Sequence, residues 1–415
     1  MRHEGPPRND VNGNSNDCDE KYGPEMFEIW KATAFETCTN ESTSKITCYL
    51  RYDEAVTRRM CLLSNTKIRL YEPYYVASTS NLSSEATIKM QNDILAADCA
   101  PFERNYNGID ERKMQFDSFF HVDKFEASRN GDLQCNHTVL HTVFWMWRWD
   151  ATNAYHFLED VTNTFASLAL LDEDPDQVEI AIYDGMQGIV NNPLFTFWSE
   201  LFPKGVRIIR NNPFPSDTCF RRSITNMYGM RSHFTEFGGY KTDAFCSSPI
   251  LKGFRDWATD KMHFKRTNHV KRFTLLFVSR QQYLSTRKIA RVLVNEDTIL
   301  ETIRSAFPLL NVIRFRPENY TTFKEQVQIA VKANIMVGVH GAGLVYSRFM
   351  SPGSHLIEVF MDDRSSANRH FHNIATWVDL RHHAIEFMGK VLPPEDIVKV
   401  IGNAMKELDR KTTAG

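Results

Sequence analysis

His156 and Asp160 lie four residues apart. On a helix that spacing puts both on one face. The carboxylate could then orient the imidazole and stabilise its protonated form, as general acid–base chemistry requires. Arg148 and Asn153 stand just upstream, one at the end of an apolar segment and one at the turn into a helix. The same residues also suit a structural reading, with Asn153 as a helix cap and His156–Asp160 as a packing pair. A second group lies nearer the C-terminus. Arg280 ends the run LLFVSR, where a guanidinium could hold a diphosphate with two parallel hydrogen bonds or form a surface ion pair. His340, Gly341, Ala342, Gly343 and Leu344 follow the apolar run IMVGV, and Glu358 comes 15 residues after Gly343. Glycines let a backbone turn tightly against a ligand, and the N–H groups opening a helix favour phosphate. A carboxylate late in the next strand suits a ribose diol. Turn, helix and acid together favour a nucleotide site over a ligand-free strand–turn–helix unit, and His340 suits either donation to a phosphate or packing beneath the turn.

These residues need elements to hold them, and the hydrophobic pattern supplies candidates. Residues 139–149 read as an apolar strand and 152–171 as a helix with Tyr155, Leu158, Val161, Phe165, Leu168 and Leu171 on one side. Strands are predicted over 178–183, 206–209 and 219–228, with helices over 193–201 and 252–262. After the basic stretch HFKRTNHVKR come strands at 273–279, 312–315, 335–339 and 355–360. They alternate with helices at 288–294, 296–307, 323–332 and 344–350, and Pro393-Pro394-Glu395-Asp396 opens a last helix. Such alternation is that of an open parallel sheet. The expected organisation is a disordered leader over residues 1–25 and an N-terminal acceptor-side domain with the cysteines over 26–262. A linker at 263–272, a nucleotide-binding domain at 273–392 and a C-terminal helix and tail at 393–415 complete it. Two α/β domains arranged so would leave a ligand cleft between them.

The chain has 415 residues and a formal net charge of -2, which gives no sign of a nucleic-acid binder. Its start is polar, and no apolar run reaches the roughly 18 residues of a membrane span. All eight cysteines lie within the first 246 residues without a CxxC pair, so disulfides are favoured over zinc. Sequons at Asn40, Asn81, Asn136 and Asn319 add to the case for an oxidising, secretory compartment. Asp172, Asp174 and Asp176 superficially match a metal-binding acid pair, but they sit in a helix-ending loop that suits a solvated turn, and no metal is expected.

At these residues the chain resembles glycosyltransferase family 61, which includes plant core β1,2-xylosyltransferases and animal O-linked N-acetylglucosaminyltransferases. The resemblance runs over residues 135–392. It rests on LLFVSR, Val294-Asn295-Glu296, Glu325-Gln326-Val327, VGVHGAGL and IEVF, and on Arg148, Asn153, His156 and Asp160 as R-x4-N-x2-H-x3-D. Cys135, which stands 21 residues before His156, Asp184-Gly185 and Cys219-Phe220-Arg221 are similar too. The resemblance implies a GT-B-type fold, two Rossmann-like domains facing a cleft. It implies an inverting transfer from a UDP-sugar, UDP-xylose slightly favoured and UDP-N-acetylglucosamine next, to a hydroxyl of a glycan or glycoprotein. Catalysis would fall to His156 or Asp160, and donor binding to Arg148, Asn153, Arg280, His340, Gly341, Ala342, Gly343, Leu344 and Glu358. No cofactor or metal would be needed beyond the sugar nucleotide. The location implied is the Golgi or ER lumen, with any membrane contact through an anchor absent from this sequence. A nucleotide-sugar-binding protein of the same fold without transfer activity stays open as the alternative.

Overall fold

The computed structural model describes residues 15–36, 38, 42–52, 57–68, 95–99, 126–127, 133–148, 151–183, 193–225, 234, 243–264, 272–280, 291–361 and 368–414. The first half holds strands β1 (Phe35–Glu36), β2 (Lys45–Tyr52), β3 (Thr57–Ile68), β4 (Leu95–Ala97), β5 (Glu126–Ala127), β6 (His137–Met146), β7 (Val178–Ile182), β8 (Val206–Ile208) and β9 (Thr218–Thr225). They form one mixed sheet in the order β1-β2-β3-β9-β6-β7-β8, with β4 and β5 branching from β3. Its β9-β6-β7-β8 part is parallel, and β1 to β3 extend it as an antiparallel meander. Its helices are α1 (Ser15–Tyr22), α2 (Glu25–Ala32), α3 (Ala154–Leu170), α4 (Pro193–Leu201) and α5 (Pro249–Lys261). The Asn153 side chain caps α3 by accepting from the Tyr155 N–H at 3.0 Å.

The second half holds β10 (Thr274–Val278), β11 (Asn311–Phe315), β12 (Ile335–Val339), β13 (His355–Phe360) and β14 (Arg381–Glu386), with helices α6 (Glu296–Ala306), α7 (Phe323–Val331), α8 (His370–Trp377) and α9 (Pro394–Ala414). Its sheet is parallel throughout, in the order β11-β10-β12-β13-β14. In chain order that is 2-1-3-4-5, a doubly wound arrangement.

Strand alternation sorts the side chains of this sheet into two cores. Leu275, Phe277, Ile335, Val337, Ile357 and Val359 face α6 and α9. Leu276, Val278, Met336 and Leu356 face the other way and join a core that also takes Phe144 and Met146 of β6 and residues of α3, α4, α5, α7 and α8. The two halves are therefore welded along one apolar layer. Val143, Trp145 and Phe220 fill a third core on the opposite side of the first sheet.

Several expectations change. Within the segment expected to be a disordered leader, residues 15–22 form α1, held by the Cys18–Cys246 disulfide and by the Ser248 hydroxyl donating to the Tyr22 carbonyl at 2.8 Å. Covalent and aromatic anchoring there outweighs a polar composition, and Tyr22 packs on Trp377 with ring centroids 5.5 Å apart. The helix expected over 288–294 does not form at 291–294, where Arg291 is left-handed at φ 59° and stops helical continuation. The helix expected at 344–350 is a 3₁₀ helix, Ala342–Phe349. Helix α8 and strand β14 are additions. All eight cysteines pair, as Cys18–Cys246, Cys38–Cys99, Cys48–Cys61 and Cys135–Cys219. The sequons at Asn136 and Asn319 are exposed, whereas Asn40, Asn81 and Asp184-Gly185 lie outside the described residues.

Candidate functional site

In a doubly wound sheet, neighbouring connections leave the first and third strands in opposite directions and open a crevice at their C-terminal ends. Here those strands are β10 and β12. Arg280 stands two residues past β10, and His340-Gly341-Ala342-Gly343 leads directly out of β12. The guanidinium Nη1 of Arg280 approaches the His340 carbonyl at 3.5 Å. Glycine is required at 341 by that approach and not by its backbone, which is extended at φ 160°. A Cβ at residue 341 would collide with Nη1 of Arg280. Packing explains two more glycines. A Cβ at residue 343 would lie 2.8 Å from Val278 Cγ1, and one at residue 338 would lie 2.9 Å from Leu344 Cδ2. Leu344 itself is fully buried, so it anchors the turn.

Several residues of the sequence motifs hold this turn in place. Ser279 donates to the Glu296 carboxylate at 2.6 Å, and Glu296 also pairs with Arg314 at 2.8 Å, which fixes the end of β10 against α6. Asn295 bonds both backbone groups of Leu392, at 2.7 and 3.2 Å. Glu325 completes a capping box with Thr322 at the start of α7. Gln326 accepts from the Tyr346 hydroxyl at 2.6 Å and so braces the 3₁₀ helix.

Glu358 is 1 % exposed, and each of its oxygens holds an imidazole: His340 Nδ1 at 2.5 Å and His382 Nε2 at 2.8 Å. Burial alone would raise this carboxyl, but the hydrogen bonds and charges of His340 and His382 outweigh it and hold the pKa below the usual range. The His340 ring is stacked on Phe360 at 5.1 Å and meets Phe371 edge-on at 5.5 Å. With Nδ1 engaged by Glu358, Nε2 is the nitrogen left to face a ligand.

The first-half residues approach from α3. Arg148 lies two residues past β6 and is buried, Asn153 is the α3 cap, His156 is half-buried in the first turn, and Asp160 is fully buried. His370 of α8 joins the two groups. Burial pushes its imidazole down to about 4, the charges of His340, His156 and Arg348 push the same way, and Glu358 pulls against them. The ring of His370 lies 5.1 Å from that of Tyr155. The structure thus brings His156, His340 and Glu358 within electrostatic reach of His370, and sets Arg280 against the glycine turn.

Arg348 also crosses between the halves. It is fully buried, pairs with the equally buried Glu159 of α3, and donates to the Thr162 hydroxyl at 3.2 Å. Burial lowers this guanidinium to about 10, with Tyr155 pulling upward, so it stays charged at neutral pH. Burial pushes the Tyr155 phenol up to about 12 despite the nearby Arg348 charge. Sequence reasoning missed His370, His382, Arg348 and Glu159. Arg348 carried a signal, since it is a charge inside the largely apolar run GLVYSRFM, whereas Glu159, beside Asp160 in a run with several polar residues, did not stand out. The two histidines carried none until α8 and β14 were known.

Among the described residues, no group of three or more His, Cys, Asp or Glu is arranged to hold a metal ion. In the acidic loop, Asp174 caps a 3₁₀ turn through the Asp176 N–H at 3.0 Å, and Asp176 pairs with Lys261. No described helix is long and apolar enough to cross a membrane.

Comparison with known proteins converges on the same segment. The sequence model of the family Glycosyltransferase 61 matches residues 155–357, from Tyr155 of α3 to Ile357 of β13. Beta-1,2-xylosyltransferase RCN11 of Oryza sativa subsp. japonica is 25% identical over 309 residues, covering 66% of this chain and 55% of that protein. Beta-1,2-xylosyltransferase of Arabidopsis thaliana is 21% identical over 333 residues, covering 69% of this chain and 59% of the relative. The match thus spans little more than half of either relative. Residues 155–357, which carry the glycine turn, Arg280 and most of the shared core, are similar to glycosyltransferase family 61.

Proposed function

We propose that this protein is an inverting glycosyltransferase that moves a sugar from a UDP-sugar to a hydroxyl of a glycan or glycoprotein. The observation that carries the reading is the meeting of Arg280 with the glycine turn at the crevice between β10 and β12. A diphosphate needs positive potential without a bulky wall. Arg280, the N–H groups that open the 3₁₀ helix, and His340 as an imidazolium donating from Nε2 would supply it. In one displacement the acceptor oxygen bonds to the anomeric carbon, and the carbon–oxygen bond to UDP breaks with its electron pair leaving on the diphosphate. The acceptor proton goes to a base on the opposite side. His156 is the better candidate, because Asp160 is fully buried whereas His156 is partly exposed. Arg148 and Asn153 would position the sugar or phosphate, with Asn153 doing so from the cap of α3.

In this reading the two halves form a GT-B-type pair, each turning the C-terminal ends of parallel strands towards a common cleft. The four disulfides and exposed sequons support an oxidising lumen of the ER or Golgi type. Names of the relatives favour UDP-xylose as donor, ahead of UDP-N-acetylglucosamine. The test is a donor screen with UDP-xylose, UDP-N-acetylglucosamine and UDP-arabinose, reading UDP release with and without glycan acceptors. Release with at least one donor, insensitive to EDTA, is expected. Binding of UDP with neither transfer nor slow hydrolysis of any donor would make it a nucleotide-sugar-binding protein instead.

A further inference from the structure

Glu358 pairs in register with Gly338 on one side and with Ala384 on the other. Side chains two residues away along a strand share a face. His340, two past Gly338, and His382, two before Ala384, therefore lie on the same face as Glu358, displaced towards opposite ends of the sheet. The carboxylate takes one imidazole from each diagonal, at 2.5 and 2.8 Å. The His382 ring is in turn wedged edge-on against His372 of α8 at 5.3 Å. A hydrogen bond to an ionised group is among the stronger ones available to a buried side chain. An ionised Glu358 requires an N–H on each nitrogen that faces it, which leaves His340 Nε2 as the nitrogen not engaged by Glu358, a donor towards a diphosphate when the ring is an imidazolium.

We propose that His382, Glu358 and His340 form a buried relay in which His382 is a positioning residue: it holds Glu358, and Glu358 holds His340 against the diphosphate of the donor. This rests on the reading of the crevice as a UDP-sugar site and replaces the ribose role that the late position of Glu358 in its strand suggests. A ribose contact needs a carboxylate oxygen that a diol can reach. Glu358 is buried, with an imidazole on each oxygen, so neither oxygen is open to one.

UDP and uridine distinguish the two roles, because only UDP carries the diphosphate. Affinities are measured for the full chain by calorimetry for UDP and by competition for uridine. The variants are His340→Ala, Glu358→Gln, His382→Leu and His382→Gln, whose amide can still donate where Nε2 does. Glu358→Gln and His382→Leu should each weaken UDP about tenfold or more while leaving uridine within about twofold, the scale of one charge-assisted hydrogen bond. His382→Gln should recover most of the loss. Equal weakening of UDP and uridine in Glu358→Gln would restore the ribose role and overturn the relay, as would unchanged UDP affinity in both Glu358→Gln and His382→Leu. Unchanged UDP affinity in His340→Ala would instead remove the diphosphate reading itself. Glu358→Gln keeps the shape of the side chain, so it decides the matter even where His382→Leu does not fold.

Discussion

One methyl group added at Gly341 probes the centre of the proposed site. An alanine Cβ there would overlap Nη1 of Arg280 and lie 3.0 Å from its Cζ. The backbone is extended, at φ 160° and ψ 173°, so alanine adopts it without strain. Arg280 is long and partly exposed, and it can swing aside at little cost in stability, about 0.5 kcal/mol or less. What is lost is its aim. Removing one preorganised donor from a transition state costs about a hundredfold or more in turnover, which corresponds to about 2.7 kcal/mol. Gly341→Ala and Arg280→Ala should therefore each reduce turnover on that scale, measured as UDP release at saturating donor. With Arg280 already replaced, the methyl has no guanidinium to displace. The double variant should then resemble Arg280→Ala alone, giving a coupling of about 2–3 kcal/mol in the cycle. Gly343→Ala provides the contrast, because its Cβ would press on the β-branched, buried Val278, and it should cost about 1–3 kcal/mol of stability. Unaltered turnover in Gly341→Ala would refute the reasoning. So would equal costs in both backgrounds, since the methyl would then act without Arg280.

Three further outcomes follow from the same contacts. Arg348→Met removes the guanidinium from buried Glu159 and should lower stability in urea unfolding by about 3–5 kcal/mol; Arg348→Met with Glu159→Leu should recover much of it, and equal losses in both would discount the pair. Opening Cys135–Cys219, which closes 84 residues, should cost about 4–5 kcal/mol in Cys135→Ser/Cys219→Ser, and an unshifted unfolding midpoint would show that the cross-link adds nothing. His370 is held neutral down to about pH 4, against an ordinary value near 6.5. Between those values the unfolded chain binds the extra proton, so stability rises with pH across that window and is lost on acidification, by about 3 kcal/mol in all. His370→Asn should flatten this slope, and an equally steep profile in that variant would assign it elsewhere.

Strand and helix positions were legible wherever burial on both faces or a clean stripe marks the sequence. The expected strands at 335–339 and 355–360 coincide with β12 and β13, and the helix at 193–201 coincides with α4. The glycine turn was legible for a related reason, since a glycine pair leaving an apolar run has few other uses. What the sequence could not display depends on pairing between distant segments. Strand β14 reads RHHAIE, polar and rich in histidine, and becomes a strand only because β13 offers it an open parallel edge. Its partner α8 begins at His370 behind an N-cap arginine, Arg369, that makes no side-chain cap, with only the Asn368 side chain accepting from the His370 N–H at 3.2 Å. Without β14 there is no His382 beside Glu358, so the carboxylate reads as an acid late in its strand, suited to a ribose. With it, the same carboxylate becomes a buried charge between two imidazoles. The register of three strands makes that difference: Gly338 and Ala384 pair with Glu358, which brings His340 and His382 to it from opposite diagonals. The chemistry proposed for His340 therefore depends on residues that do no chemistry, and Gly338→Ala should lower stability in urea unfolding by about 1–3 kcal/mol through its contacts with buried Leu344 and Val278.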